Sequence, residues 1–399
     1  MKPVRLATIG ALALAAAAFP ALQQAHAGTS AARACSGWTQ VASPNAGTQD
    51  NALNAVSAGS AKDIWAVGTQ AQNTATPVFN RTLTEHFNGT AWSVVPGPDP
   101  GPSTNALFAV STLPTGEAWA VGNFLDKSLK PRTLVESWDG KSWHVDSSPN
   151  PAKAIDLLFG VSAVSPTDVW AIGYASDGDA KFQTLTEHWD GHAWSVVPSP
   201  NPGPSGNQLF SVHAVSANSV WAVGQQVGTQ PDRALVEHWN GTAWSVVPSP
   251  KVPTGGASTT LYSVAGVSDN AVVAVGATED FVAPPRTLVA QGKGTALAVA
   301  KSQNPSAGDD NLDAVTVASA ASAWAVGSAL DVKSGNELTL VENRDASGAW
   351  HRQASPSPGF ANGDSQLGGV TAVSPTDVWA VGSFDGPNVA QTLILHFCG

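Results

Sequence analysis

The pattern Trp-Ala-Val-Gly begins at Trp65, Trp119, Trp221, Trp324 and Trp379, with Trp-Ala-Ile-Gly at Trp170 and a degenerate Val-Ala-Val-Gly at Val273. Successive copies lie 54, 51, 51, 52, 51 and 55 residues apart. A fixed period of that length dictates a repeat architecture, in which each unit buries its apolar residues on its neighbours. It holds four short strands and their turns.

The copy starting at Leu209 contains four apolar runs, at residues 209–215, 220–224, 234–239 and 243–247. The last two flank Asn240-Gly241, a strong hairpin signal because the two-residue turn it suits needs positive φ at both positions. Asn88-Gly89, Asp139-Gly140 and Asp190-Gly191 repeat the signal. Each repeat therefore reads as a four-stranded antiparallel sheet. Apolar on both faces, seven such sheets must stack and close, which predicts an all-β, seven-bladed β-propeller.

Closure is visible as a phase offset. Each signature is followed 23 to 27 residues later by an outer-strand residue: Trp92, Trp143, Trp194, Trp244, Leu297 and Trp350. After Trp379 the chain stops at a segment, 392–399, that matches the third-strand segment 82–89. The missing fourth strand lies at the other end, in residues 35–41, so the N-terminal strand is expected to complete the last blade. This places Cys35 and Cys398 together at a hairpin turn. A disulfide between them is expected, as a clasp rather than a redox centre. In the chain-entropy model such a long loop is worth at most about 5 kcal/mol.

Lys2 and Arg5, the apolar stretch 6–18 and the small-x-small end at Ala25-His26-Ala27 read as a signal peptide over residues 1–27. Residues 28–34 then form a flexible mature N-terminus and 35–399 one propeller domain, exported, soluble and monomeric. Without Lys2 and Arg5 the chain has 17 basic and 30 acidic residues, a net charge of −13. That balance argues against nucleic acid as a partner, as does the lack of any Lys or Arg run. No membrane insertion is expected after cleavage.

With these residues in view the chain resembles the secreted bacterial seven-bladed β-propellers whose repeats read Asp-Val-Trp-Ala-Val-Gly and Glu-His-Trp-Asn-Gly-Thr-Ala-Trp. The resemblance spans residues 35–399. The turn from Trp189 to Trp194 is also loosely similar to Asp-box and tectonin-type hairpins, although Asp190 and Gly191 adjoin where the Asp-box separates them. What the resemblance implies is a fold and an exported location. Lectins, sialidases and copper oxidases share this fold, so activity does not follow from it.

All fifteen Trp residues occupy repeat positions, which makes interblade core their expected role. Glu85-His86 recurs as Glu187-His188 and Glu237-His238, and such repetition points to a structural hydrogen bond made once per blade. His188 and His192 lack a third ligand, so no zinc site is expected there. Asp177-Gly178-Asp179 could assist a calcium ion, but calcium takes six or more oxygens and a solvated turn is the expected reading. A sialidase-like clamp would need convergent arginines, whereas Arg81, Arg132, Arg233 and Arg286 each open a third strand, away from the axis. No nucleophile elbow, P-loop or dinucleotide fingerprint occurs.

The connections from second to third strand and from blade to blade, each expected to run to about ten residues, share one rim of a propeller. Ligand-binding candidates on this crown are Phe124, Asp126, Lys127, Tyr174, Asp177, Asp179, Phe182, Glu279, Asp280, Phe281, Asp331, Phe384 and Asp385. The expected function is noncatalytic recognition of a glycan or cell-surface polymer, with no cofactor or metal. The alternatives are a polysaccharide hydrolase or lyase with an axial acid pair drawn from Asp309, Asp310 and Asp313, and a scaffold for another exported protein.

Overall fold

The computed structural model describes residues 37–72, 79–179, 181–229, 231–252, 257–280, 283–292, 296–360 and 363–399. The leader, residues 28–34, Cys35 and Phe281 lie outside the described residues. Seven four-stranded antiparallel sheets are formed. In six of them the strands follow chain order. In the seventh, Gly37–Val41 pairs with Ala390–Cys398, beyond Asp377–Asp385 and Ser365–Ser374. Trp38 faces Phe397 and Val41 faces Ile394, so the N-terminal strand does complete the last blade.

The first strand of each blade is the inner one: Asn51–Ser60, Asn105–Thr112, Ile155–Ser165, Gly206–Ser216, Ser258–Gly266, Asp310–Ser319 and Ser365–Ser374. Each touches the inner strand of the next blade, the seventh against the first included. The core consists of seven apolar clusters, one at each blade junction. A second-strand Trp meets the fourth-strand Trp of the following blade edge-on: Trp65 and Trp143 at 5.0 Å, Trp170 and Trp244 at 5.2 Å, Trp324 and Trp38 at 5.5 Å, Trp379 and Trp92 at 5.7 Å. Such pairs add about 0.5–1.5 kcal/mol beyond the area they bury. Blade five lacks both of its signature Trp residues, but the losses fall at different junctions. Leu297 packs with Trp221, and Val273 with Trp350, so each of those junctions keeps one indole.

Two sequence features explain how the inner strands approach so closely. Ala55, Ala109, Gly160, Ser211, Ser263, Ala314 and Gly369 occupy one equivalent inner position, always small. A Cβ on Gly369 would lie 2.8 Å from the Ala55 Cα. Hydroxyls then bridge six of the seven junctions: the backbone N–H groups of Thr112, Ala163 and Ala214 donate to Ser57, Ser111 and Ser162, those of Val264 and Val315 to Ser211 and Ser263, and that of Ala58 to Thr371 across the closure.

Local expectations are corrected at two points. The Asn-Gly and Asp-Gly hairpins are four-residue loops, not two-residue turns. Phe87 faces Trp92, only Gly89 has positive φ, and the Asn88 side chain accepts from the N–H groups of Thr90 and Ala91. The short Asn88 side chain thus caps the turn, and positive φ is needed once. The second-to-third connections are also shorter than expected, as at 126–130, 228–232 and 386–389, because the paired strands continue into them. The crown is built mainly by the blade-to-blade connections.

Candidate functional site

In every inner strand the register slips by one residue after a buried leucine: Leu53, Leu107, Leu158, Leu209, Leu261, Leu312 and Leu367. The bulge brings an inner-strand carbonyl against the Gly of the repeated signature, where a Cβ on Gly122 would lie 1.9 Å from the Ala106 oxygen. That Gly is therefore dictated by the bulge. A bulged residue has no cross-strand partner and is re-aimed out of the ladder. The bulged residues are Asn54, Phe108, Phe159, Phe210, Tyr262, Asp313 and Gly368. An inner strand has only the axis on its free edge, so these seven residues ring the axial channel.

Four consecutive members are aromatic. Phe108 stacks on Phe159 at 5.0 Å, Phe159 meets Phe210 edge-on at 6.0 Å, and Phe210 lies 6.3 Å from Tyr262. All four are only half-buried. Behind them Tyr174 stacks on Phe159 at 5.3 Å, and Phe182 packs edge-on against Tyr174 at 5.1 Å. The result is an aromatic shelf of six rings over blades two to five. Its bulge residues stand fourth or fifth in their inner strands, at the end where the crown connections enter.

Tyr174 and Phe182 are the crown candidates that the structure brings together. Phe124 and Phe384 are half-buried and pack against the junctions of blades one and two and of blades six and seven. Asp126 is held by Arg132 at 3.1 Å and caps its own turn, which keeps its carboxyl below the usual range. Asp331 likewise caps a turn through the N–H of Lys333 and the hydroxyl of Ser334. Asp177 accepts from the Lys153 N–H, Asp179 from that of Lys181, and Asp385 from that of Asp364. Lys127, Glu279 and Asp280 are exposed on the rim. A groove of about 290 Å³ follows the seam of the last blade, lined by Gln40, Ser43, Phe384 and Gln391 among others.

The axial acid pair does not assemble as expected. Asp310 is buried and bound to Arg286 at 2.9 Å, and the Ser306 N–H also donates to it. Asp156 is bound in the same way to Arg132 at 2.9 Å. Both pairs join a third strand to the next blade's inner strand. Asp313 is different. It sits on the bulge beside Tyr262, and burial, with repulsion from Glu337 second, pushes its carboxyl up to about 7. Tyr262 is raised as well, by burial and then by Glu279 and Asp313.

The repeated Glu-His pair divides its labour. The histidine makes the bond expected once per blade, to the Asp before the signature: His86 to Asp63, His188 to Asp168 and His396 to Asp377, each at 2.8 Å. The glutamates Glu85, Glu136, Glu187, Glu237 and Glu342 are fully buried instead, and neither oxygen of Glu136 or Glu187 has a hydrogen-bond partner. In blade four Ser219 replaces the Asp and contacts His238 at 3.0 Å and Asp269. This has the composition of a Ser-His-Asp triad but not its geometry. The carboxylate approaches the same His238 nitrogen that meets the serine, where a triad needs it on the other.

No protein-family model and no curated protein matches the chain. Among solved structures it is similar to Sqt1 of Chaetomium thermophilum, at 13% identity over 88% of this chain and 96% of that one, with a TM-score of 0.51. A protein of unknown function from Dyadobacter fermentans gives 11%, 91%, 98% and 0.51. The BP39L lectin from Burkholderia pseudomallei gives 14%, 85%, 95% and 0.51. The likeness shows the fold alone. The resemblance read from the repeats is thereby supported at the level of the seven-bladed propeller.

The axial shelf escaped the repeat reading, although its signal is in the sequence. Leu107-Phe108, Leu158-Phe159, Leu209-Phe210 and Leu261-Tyr262 occupy one repeat position in four successive blades. Adjacent apolar residues there read as two faces of a regular strand, and only a bulge turns the second one to the axis.

Proposed function

We propose that this chain is an exported, monomeric propeller that binds a glycan or cell-surface polymer without turnover, at the crown end of its axial channel. The observation that carries the reading is the half-buried shelf of Phe108, Phe159, Phe210 and Tyr262. A sugar presents an apolar C–H face that packs on aromatic rings, and rigid rings provide contact area at little entropic cost. A concave aromatic site with few polar groups is the ordinary form of a small-ligand site. Exposed Lys127, Asp179, Asp280 and Asp385 would meet more distant parts of a long polymer.

A propeller of similar fold is a lectin, which supports the reading. A glycoside hydrolase needs two carboxyl groups set about 5–9.5 Å apart across the bond to be cleaved. Locking of Asp310 to Arg286 weighs against that alternative. We also propose cleavage after residue 27 and a Cys35–Cys398 disulfide. The register supports the latter by setting Cys398 opposite Gly37, two residues from Cys35.

A glycan array with the mature chain, followed by a reducing-end assay on each hit, tests the function. Binding without release of reducing ends is expected, with a loss of at least about tenfold in Phe159→Ala, the scale of one aromatic contact. Unchanged binding by a folded Phe159→Ala variant would move the site elsewhere.

A further inference from the structure

We infer that the axial mouth selects a saccharide bearing a protonated amine, as in glucosamine oligomers, with Asp313 meeting the ammonium beside the rings of Phe210 and Tyr262. The inference rests on the glycan reading and narrows it.

The seven inner strands contain no Lys or Arg. Their carboxylates are Asp156, Asp310 and Asp313, and the first two are each matched by an arginine. Among the described residues no hydrogen bond or ion pair reaches Asp313, which is half-buried on its bulge. The groups that face it add negative charge rather than removing it. Glu337, which accepts from the Gln366 amide, lies on the third strand of the same blade, Glu279 stands at the rim beyond Tyr262, and Asp364 and Asp309 flank Glu337. A carboxylate taken from water without a counter-charge favours a cation.

The neighbouring surface decides which cation. Calcium needs six or more oxygens, and no group of three or more metal-type side chains occurs among the described residues. The equivalent bulge of the adjoining blade five carries Tyr262, with Phe210 of blade four 6.3 Å from it, and aromatic faces attract an organic cation. A sugar ring carrying an ammonium group satisfies both halves of the mouth, its C–H face on Phe210 and Tyr262 and its charge on Asp313.

Calorimetry on the mature chain with a glucosamine hexamer and its N-acetylated counterpart, in buffer near pH 7, where Asp313 still ionises, tests this. The amine form should bind at least tenfold tighter. Asp313→Asn should erase that preference and leave binding of the acetylated form unchanged. The variant should fold, since Asn54 holds the equivalent bulge and donates to the Leu107 carbonyl, and its melting curve checks this. Phe210→Ala should weaken both hexamers. Equal binding of the two hexamers, or a preference that survives Asp313→Asn, overturns the inference and leaves the glycan reading standing. Failure of both hexamers to bind overturns it too, and the glycan reading then falls only if the array is also blank.

Discussion

The third-strand glutamates set how stability depends on pH. Burial pushes Glu85 and Glu237 up to about 8, Glu187 up to about 9 and Glu342 up to about 7, and it holds Glu136 well above its ordinary value. Each group is more basic in the folded chain than in the unfolded one. Its contribution is therefore complete below about 4.5 and is lost as pH rises through 7 to 9. The turn aspartates act in the opposite sense. Asp139 is lowered to about 2 by the N–H groups of Ser142 and Lys141, so its contribution is lost on acidification below 4. Thermal melts should show greatest stability near pH 5 and a steady fall to pH 9. Glu187→Gln should lessen that fall, raising the melting temperature at pH 9 through a gain in stability on the order of 1 kcal/mol or more. An unchanged slope in that variant would show Glu187 to be ionised and solvated. Repetition of Glu-His in the sequence revealed a structural role. That the histidine holds the bond while the glutamate keeps its proton depends on burial, which residue order does not display.

Glycine has two different functions in the strands and turns, and substitution separates them. Gly140 sits in a hairpin loop at φ +92° with nothing within 4 Å of a built Cβ, so Gly140→Ala meets only backbone strain, about 1–2 kcal/mol. Gly122 has ordinary φ, yet a Cβ there would lie 1.9 Å from a carbonyl oxygen of the inner strand. Gly122→Ala must push two paired strands apart and should cost more than about 3 kcal/mol, in the range of severe core lesions. Chemical denaturation of the two variants measures the difference, and similar midpoints would mean that the bulge relaxes freely. The strands, their order and their hairpins were legible because apolar runs and turn residues recur at fixed offsets. The bulge was not, because Leu107-Phe108-Ala109-Val110 reads as an unbroken apolar run. The aromatic shelf was hidden with it, whereas the crown carboxylates Asp126 and Asp331, legible in the sequence, cap turns.

Closure of the whole ring was legible because the chain begins and ends at different points of one repeat, and the paired register between residues 37–41 and 394–398 bears it out. Trp38 is the residue that makes this seam part of the core. It covers Trp324 of blade six at 5.5 Å and packs on Phe397 at 5.7 Å, so it belongs to blade seven and seals the junction with its neighbour. Trp38→Ala should therefore cost about 3–5 kcal/mol, as for other large core truncations. Deleting residues 1–41 should do more than subtract a contact. The last sheet would keep three strands and expose the edge of Ala390–Cys398, together with Trp324, and an open edge invites pairing with another chain. The truncated protein should associate or lose its single cooperative transition, whereas Cys398→Ser, which leaves every backbone pair in place, should stay monomeric with a lower melting temperature. Light scattering and calorimetry distinguish these outcomes. A monomeric truncation that melts like the full chain would mean that six complete blades and an unfinished one hold the ring without the N-terminal strand.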